Sequence, residues 1–284
     1  MRIVIKNTFA QTRKFASKIK SQSFHILNTI KKKKKLVVGI FLVQIILFLS
    51  MFVTGLTFQV LGINEARSVI EPLQISGASP ENLEAAQELT KSFDVISQSY
   101  KTMWTYIRYS MYIPFMLFII LNGIIWVMTL SLERKVNLKQ NVKQWLRFAG
   151  INIIIFLPYF LLTDWYISKI FIANVDVNNF IRDLWIIGYL FLPLYYFAMS
   201  GFAFIDRSWR EIIKGVYNKA IKKIYVTLPV AAVVHGLIIG SGYILFLTLN
   251  TEVPNLIYVF STGTLFFAII LITRLMWINY IQNA

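Results

Sequence analysis

The sequence predicts an all-α fold, namely a polytopic membrane protein with a six-helix transmembrane bundle, both termini in the cytosol and amphipathic helices at the membrane interface. Two observations carry this prediction. The 284 residues are 57% hydrophobic and only 15% charged, whereas a soluble domain carries about 25% charged residues. The basic residues also concentrate in a few segments that lie between long apolar runs, which is the charge pattern of multi-pass membrane proteins.

The first membrane helix is marked by a run of lysines. Lys31 to Lys35 lead directly into an uncharged run, 36–61, which exceeds the roughly 20 apolar residues that cross a bilayer. Lysines at the end of a membrane helix stay on the cytosolic side. We therefore predict a basic cytosolic amphipathic segment over 1–35 and a membrane domain over 36–284.

Five further apolar runs complete the predicted bundle. The six predicted membrane helices cover residues 36–61, 104–130, 148–163, 184–205, 225–249 and 256–278. Six tryptophans fall near the ends of these helices, where an aromatic belt is expected: Trp104, Trp145, Trp165, Trp185, Trp209 and Trp277. An even number of crossings returns the chain to the side on which it began.

The net charge of +16 follows from this topology. Residues 1–35, 133–147 and 206–224, together with Arg274, are assigned to the cytosol and hold 23 of the 29 basic residues. This is the positive-inside distribution, so the charge needs no nucleic acid to explain it, and none is expected as a partner. The expected partners are the lipid bilayer and the anionic lipids of its inner leaflet, and the expected location is the plasma membrane.

Two amphipathic helices are predicted outside the membrane. The outer one, about 80–103, begins with Ser79 as N-cap and Pro80 in the first turn, and its apolar residues recur at helical spacing. It either covers the outer ends of the other helices or offers a seam to a protein partner or a second copy of the chain. The cytosolic one, about 206–224, combines one apolar face with six basic residues and is expected to lie along the inner leaflet.

Several polar side chains are predicted at similar depths inside the bundle. At a rise of 1.5 Å per residue, Gln44 and Asn122 lie about 12 Å from the cytosolic ends of their helices, and Tyr195, Tyr196 and His235 about 14 to 15 Å from theirs. These five residues form a candidate intramembrane polar cluster. An ionisable residue at this depth is a functional candidate; the alternative is that the group only makes hydrogen-bonding contacts between helices.

Two further features concern packing and charge. Ala232, Gly236 and Gly240 repeat every four residues on the fifth membrane helix, a spacing that lets another helix approach closely. Arg108 and Asp164 are both expected near the outer surface, where they can form an ion pair, unless Asp164 pairs with Lys169 or the charges are ordinary interfacial ones.

No enzyme chemistry is predicted. The chain has no cysteine and only two histidines, and it contains no phosphate-binding loop, metal-spaced acid pair or common catalytic motif. We expect no metal, no cofactor and no catalytic residue. The sequence favours a non-enzymatic membrane protein, a scaffold, assembly factor or complex subunit that acts through helix packing and a basic cytosolic face. The alternative is a small permease or transporter subunit with a central polar path near His235.

Overall fold

The computed structural model describes residue 26 and residues 28–75, 83–134, 137–170, 177–250 and 255–283. In the described parts of 71–92 and 169–181, and at residue 184, it describes the backbone but not the side chains. The predicted cytosolic segment 1–35 is therefore described only at its end, and the predicted N-terminus of the outer helix, at Ser79 and Pro80, lies outside the described residues.

The described chain is helical, in agreement with the all-α prediction. Its helices are α1 (Lys34–Ile75), α2 (Leu83–Leu117), α3 (Gly123–Glu133), α4 (Leu138–Ile170), α5 (Val177–Phe202), α6 (Trp209–Gly215), α7 (Ile224–Leu249) and α8 (Leu256–Asn283). Two π-helical turns, Phe118–Asn122 and Val216–Ile221, follow α2 and α6. Six helices of the described chain are long and apolar enough to cross a membrane, as expected of a multi-pass membrane protein.

Two helices extend by about ten residues or more beyond the predicted membrane-spanning ranges. Helix α1 continues past Gly62 to Ile75, since one glycine in a helix costs only about 1 kcal/mol. Helix α4 begins at Leu138 instead of 148. The Asn137 side chain accepts a hydrogen bond from the Gln140 amide at 2.9 Å and caps that helix.

The predicted cytosolic helix 206–224 is shorter in the structure. Asp206 lies in a turn, helical structure runs from Trp209 to Ile221, and a second turn at Lys222 precedes α7. The Ser208 amide donates to the Glu211 carboxylate at 2.9 Å, which satisfies one of the backbone groups left open at a helix start. We call Trp209–Ile221 the basic segment.

The chain forms two compact units. The first comprises the described parts of Met1–Gln44, Gly123–Pro158 and Val175–Ala284. Its core is aromatic: the Phe202 ring lies 4.4 Å from Phe148 and 5.3 Å from Trp126, measured between centroids. Trp277 is fully buried and donates from Nε1 to the Met199 carbonyl at 3.0 Å. Trp277 therefore belongs to the core, and its predicted place in an aromatic belt was wrong.

The second unit comprises the described parts of Ile45–Asn122 and Tyr159–Asn174. Aromatic contacts hold it together. The Phe58 ring lies 5.6 Å from Tyr109, and the Phe160 ring lies 4.6 Å from Phe115. These contacts join α1 to α2 and α2 to the second half of α4.

Candidate functional site

Tyr195 and His235 are the two members of the predicted polar cluster that the structure brings into contact. Their rings meet edge to face with centroids 5.1 Å apart. The Nδ1 atom of His235 lies 2.6 Å from the Ala231 carbonyl one turn earlier on the same helix, so Nδ1 carries the proton. The Nε2 atom of His235 is buried and has no hydrogen-bond partner among the described residues.

The other three members have different surroundings. The Tyr196 hydroxyl donates to the Ala220 carbonyl at 2.9 Å and lies 2.6 Å from Thr227 Oγ1, so it is turned towards the basic segment. Gln44 is buried, and neither of its amide atoms has a hydrogen-bond partner in the described chain. Asn122 is buried too but belongs to the second unit. Within the first unit the structure thus joins Tyr195 to His235, and the wider cluster that includes Asn122 stays a prediction.

The small-residue ridge of the fifth membrane helix is exposed in the part of the chain that the structure describes. Ala232, Gly236 and Gly240 are all exposed, and a Cβ atom added at Gly236 or Gly240 would meet nothing within 4 Å. The ridge is therefore open within the described residues, and the prediction that another helix packs against it stays a prediction. Helix α7 instead turns Ala231, Val234 and Ser241 inwards. Four-residue spacing identifies a ridge but not the direction in which it faces.

The predicted ion pair is present in the second unit. Arg108 Nε lies 3.0 Å from Asp164 Oδ1, with the two side chains 46% and 19% exposed. The Arg108 guanidinium also lies over the Trp104 ring at 5.4 Å. Both contacts are partly open, so we expect them to position α2 against α4 with little net energy.

A cavity that the sequence analysis missed lies next to Tyr195. It has a volume of about 130 Å³ in the first unit, and its lining comprises Trp126, Tyr195, Met199, Val234, Ile238, Ile270, Thr273, Arg274 and Trp277. Of these, Arg274 carries the one formal charge. Its guanidinium lies over the Trp126 ring at 5.6 Å from the centroid, within the range of a cation–π contact.

Arg274 was assigned to the cytosol because it lies near the end of the last apolar run. Helix α8 continues to Asn283, nine residues further, which places Arg274 about 14 Å from the helix end. The apolar residues on both sides of it, from Leu271 to Ile278, were the signal that it belongs within the helix.

A second feature missed from the sequence joins the ends of three helices. Arg134, just after α3, pairs through Nη1 with Asp206 Oδ2 and donates from Nη2 to Gln282 Oε1 at 3.3 Å. Gln282 in turn donates to the Ala203 carbonyl. No local sequence pattern predicts this network, because its members come from distant parts of the chain.

The basic segment is held against the membrane helices of the first unit by buried contacts. Ile212 and Ala220 are almost completely buried. The Trp209 ring lies against Gly150 so closely that an added Cβ would come within 2.7 Å of the indole. Gly215 is similarly close to the Phe204 ring, at 2.9 Å. The two glycines let the segment lie flush against α4 and the end of α5.

The opposite side of the basic segment is charged. Arg210 and Lys214 of the segment are exposed, and so are Arg207 and Lys222 in the turns that flank it. A cleft of about 290 Å³ on this side is lined by Arg207, Glu211, Lys214, Asn218, Lys219, Gln282, Gly215 and Phe204. Three of these residues are cations and one is an acid. The segment therefore offers a positively charged surface that is fixed in position.

Metal binding finds no support in the described part of the chain, where no three His, Asp or Glu side chains are grouped so that they could hold an ion. Comparison of the chain with protein-family models, with curated proteins and with solved structures finds no match.

Proposed function

We propose that this protein is a non-enzymatic scaffold or complex subunit of the plasma membrane that binds an acidic partner protein through the basic segment on its cytosolic side. The proposal depends on one observation: the segment is fixed by the buried side chains of Ile212 and Ala220 and by the close contact of Trp209 with Gly150, while Arg210 and Lys214 are exposed.

Rigid attachment distinguishes this surface from a basic stretch that only sets topology. A stretch whose sole role is topological needs its charge but no particular shape. Here the hydrogen bond from Tyr196 to Ala220 and the close contacts at Gly150 and Gly215 fix the arrangement of the charges. Fixed positive charges accelerate the encounter with an acidic surface and favour one orientation of it.

The alternative is a small permease or transporter subunit. The cavity beside Tyr195 and Arg274 is the observation in its favour. However, a volume of about 130 Å³ is below the roughly 300 Å³ at which pockets for small molecules begin. Val234, Ile238 and Ile270 also make part of its wall apolar. We therefore favour the scaffold function over the transporter function.

Native gel electrophoresis of the tagged protein, extracted from its own membranes in mild detergent, tests the proposal. We expect the 33.0 kDa chain to migrate in a discrete larger complex that the double variant Arg210→Glu with Lys214→Glu does not enter. The matched control reverses Lys139 and Lys143, which are exposed on α4, and should leave the complex intact. Equal migration of all three proteins would contradict the proposal.

A vesicle assay separates binding of a partner protein from attraction to lipid. If anionic lipid alone occupies the basic segment, the purified wild-type protein will bind anionic vesicles more tightly than the Arg210→Glu, Lys214→Glu variant does. In that case the native complex will contain no partner subunit. That result would replace the partner protein with lipid in the proposal.

A further inference from the structure

An apolar groove lies between the basic segment and helices α4 and α5 of the first unit. It has a volume of about 340 Å³, and the residues described in its lining are aliphatic, aromatic or glycine. Ile151 and Ile212 in this lining are buried, whereas Ile154 and Ile213 are 67% and 68% exposed. The groove therefore has a closed floor and open walls.

Three elements of the chain form this groove. Gly201 lets α5 approach α4 closely, since a Cβ atom added there would lie 3.3 Å from Ile151 Cδ1. Phe197, one turn earlier on α5, lines the groove together with Ile154 of α4 and Ile213 of the basic segment. An occupant would touch all three elements at once. A lipid chain against the outer surface of one helix has contacts on one side only, so the groove is distinct from that general environment.

The surroundings of the groove indicate a lipid as its occupant. Its α4 and α5 residues belong to helices that are long and apolar enough to cross a membrane, where acyl chains are the neighbours of exposed side chains. Trp209 and Tyr217 also line it, and tryptophan and tyrosine are enriched at the level of the lipid headgroups. The lining can hold an acyl chain by van der Waals packing.

A cation lies beside the groove. The Lys222 ammonium is placed over the Tyr217 ring at 5.1 Å from its centroid, within the range of a cation–π contact. The Lys222 amide also donates to the Tyr217 carbonyl at 2.9 Å, and the lysine is exposed. The one acid of the basic segment, Glu211, lines the charged cleft on the opposite side. The charge next to the groove is therefore complementary to an anionic headgroup.

We propose that this groove binds one acidic phospholipid, whose acyl chain lies against Ile154, Phe197 and Ile213 and whose anionic headgroup pairs with Lys222. The proposal goes beyond the scaffold function and does not depend on it. The lipid would occupy the apolar side of the basic segment, whereas the partner protein would bind the exposed charges of Arg210 and Lys214.

The test uses the full chain, purified in neutral detergent and washed free of lipid. Dioleoylphosphatidylglycerol is the acidic probe, dioleoylphosphatidylcholine carries the same chains on a headgroup without net charge, and glycerol phosphate is the anion without chains. Native mass spectrometry counts the bound molecules as each probe is added. We expect one phosphatidylglycerol per chain to bind saturably and more tightly than phosphatidylcholine, and glycerol phosphate not to bind.

Two variants separate the headgroup from the chain. Lys222→Gln should weaken the binding of phosphatidylglycerol about fivefold, the effect of one basic residue near an anionic surface, and leave phosphatidylcholine unchanged. Its control is Lys139→Gln, which removes an exposed cation of α4. Ile155→Trp narrows the groove and should weaken both lipids about tenfold through overpacking. Its control is Ile153→Trp, at a 46% exposed neighbour outside the described lining.

Several results would overturn the proposal. They are the absence of saturable binding, equal affinity for the two phospholipids, binding of glycerol phosphate as tight as that of phosphatidylglycerol, and equal losses in a variant and its control. If Ile155→Trp does not yield a folded protein by size-exclusion chromatography, Ile213→Ser removes an exposed wall instead, and unchanged lipid affinity in that variant would exclude the groove.

The lipid site and the scaffold function fail separately. Lys222→Gln should still enter the native complex from which Arg210→Glu with Lys214→Glu is excluded. A native complex without saturable lipid binding would contradict the lipid site alone. Saturable lipid binding by a protein that forms no complex would contradict the scaffold alone.

Discussion

The Tyr196 hydroxyl, inside helix α5, donates to the carbonyl of Ala220 in the basic segment at 2.9 Å. It also lies 2.6 Å from Thr227 Oγ1 at the start of α7. One phenol therefore ties three consecutive parts of the first unit together at a buried point, since Ala220 and Thr227 are both fully buried.

Tyr196→Phe should loosen the basic segment. The variant keeps the ring but leaves the buried Ala220 carbonyl without this donor, at an expected cost of about 1–2 kcal/mol. Hydrogen exchange of peptides covering 209–224 should rise, and Tm should fall. Tyr217→Phe is the matched control, because Tyr217 lies in the same segment with a 50% exposed side chain. Equal exchange in the two variants would show that the Tyr196 hydroxyl does not hold the segment.

Gly150→Val should displace the basic segment from α4. The Trp209 indole occupies the space that a side chain at this position needs, since a Cβ atom would lie 2.7 Å from it. Gly188→Val is the control, because a Cβ atom at that exposed helical position would meet nothing within 4 Å. We expect a loss of about 1–3 kcal/mol for Gly150→Val from overpacking, measured by unfolding in mixed micelles. A loss of the same size in Gly188→Val would mean that valine weakens the helix itself.

The sequence predicted those features that depend on the local distribution of apolar and charged residues. Helix α7 was expected over 225–249 and covers Ile224–Leu249, because basic residues precede it and a polar connection follows it. Arg108 and Asp164 were paired from their expected depths alone, and the structure places them 3.0 Å apart. Depth along a helix follows directly from the constant rise per residue.

Rotation about the helix axis was not predictable in the same way. Helix α7 is apolar on all sides, so its sequence does not distinguish the face with Gly236 from the face with Val234. The structure buries Val234 and exposes Gly236. Arg274 was misplaced for a related reason. A single cation near the end of an apolar run fits a helix end or a helix interior, and the contact with Trp126 supports the interior.

The carboxylate of Glu211 should titrate at unusually low pH. It accepts hydrogen bonds from the Ser208 hydroxyl at 2.8 Å and from the Ser208 amide at 2.9 Å. These bonds favour the charged form and hold the pKa of Glu211 below its ordinary value. Because the folded pKa lies below the unfolded one, this contribution to stability is present above the ordinary value of about 4.3 and is lost as the pH falls through the folded pKa.

An NMR titration of ¹³C-labelled glutamates, assigned with Glu211→Gln, measures this pKa. Ser208→Ala should raise the pKa of Glu211 part of the way to its ordinary value, because the hydroxyl is removed while the amide remains. If the pKa of Glu211 in the wild type is already the ordinary one, these hydrogen bonds do not form in solution.

The proposed orientation can be tested without background labelling, because the chain has no native cysteine. Single cysteines at Gln98 and Asn250 should react with a membrane-impermeant maleimide added to intact cells. Cysteines at Lys139 and Arg210 should react only after lysis, since the positive-inside rule places them in the cytosol. All four positions are exposed in the structure. The reverse pattern of labelling would invert the proposed topology and remove the basic segment from the cytosol.

The two interhelical ion pairs should differ in their contribution to stability. Asp206 is only 5% exposed opposite Arg134, and its Oδ1 atom is buried without a hydrogen-bond partner among the described residues. Arg134→Ala would leave this carboxylate uncompensated, and we expect a loss of about 2–3 kcal/mol. Arg108→Ala leaves Asp164 more open to solvent, at 19% exposure, and should cost less than about 1 kcal/mol.

Adding Asp206→Asn to Arg134→Ala separates charge burial from lost packing, because the amide needs no counter-charge. The double variant should therefore recover part of the stability that Arg134→Ala loses, as measured by unfolding in mixed micelles. The distinction between the two ion pairs would fail if Arg134→Ala and Arg108→Ala cost the same. It would also fail if Asp206→Asn made Arg134→Ala still less stable, since the arginine would then act through its contact with Gln282 and not through its charge.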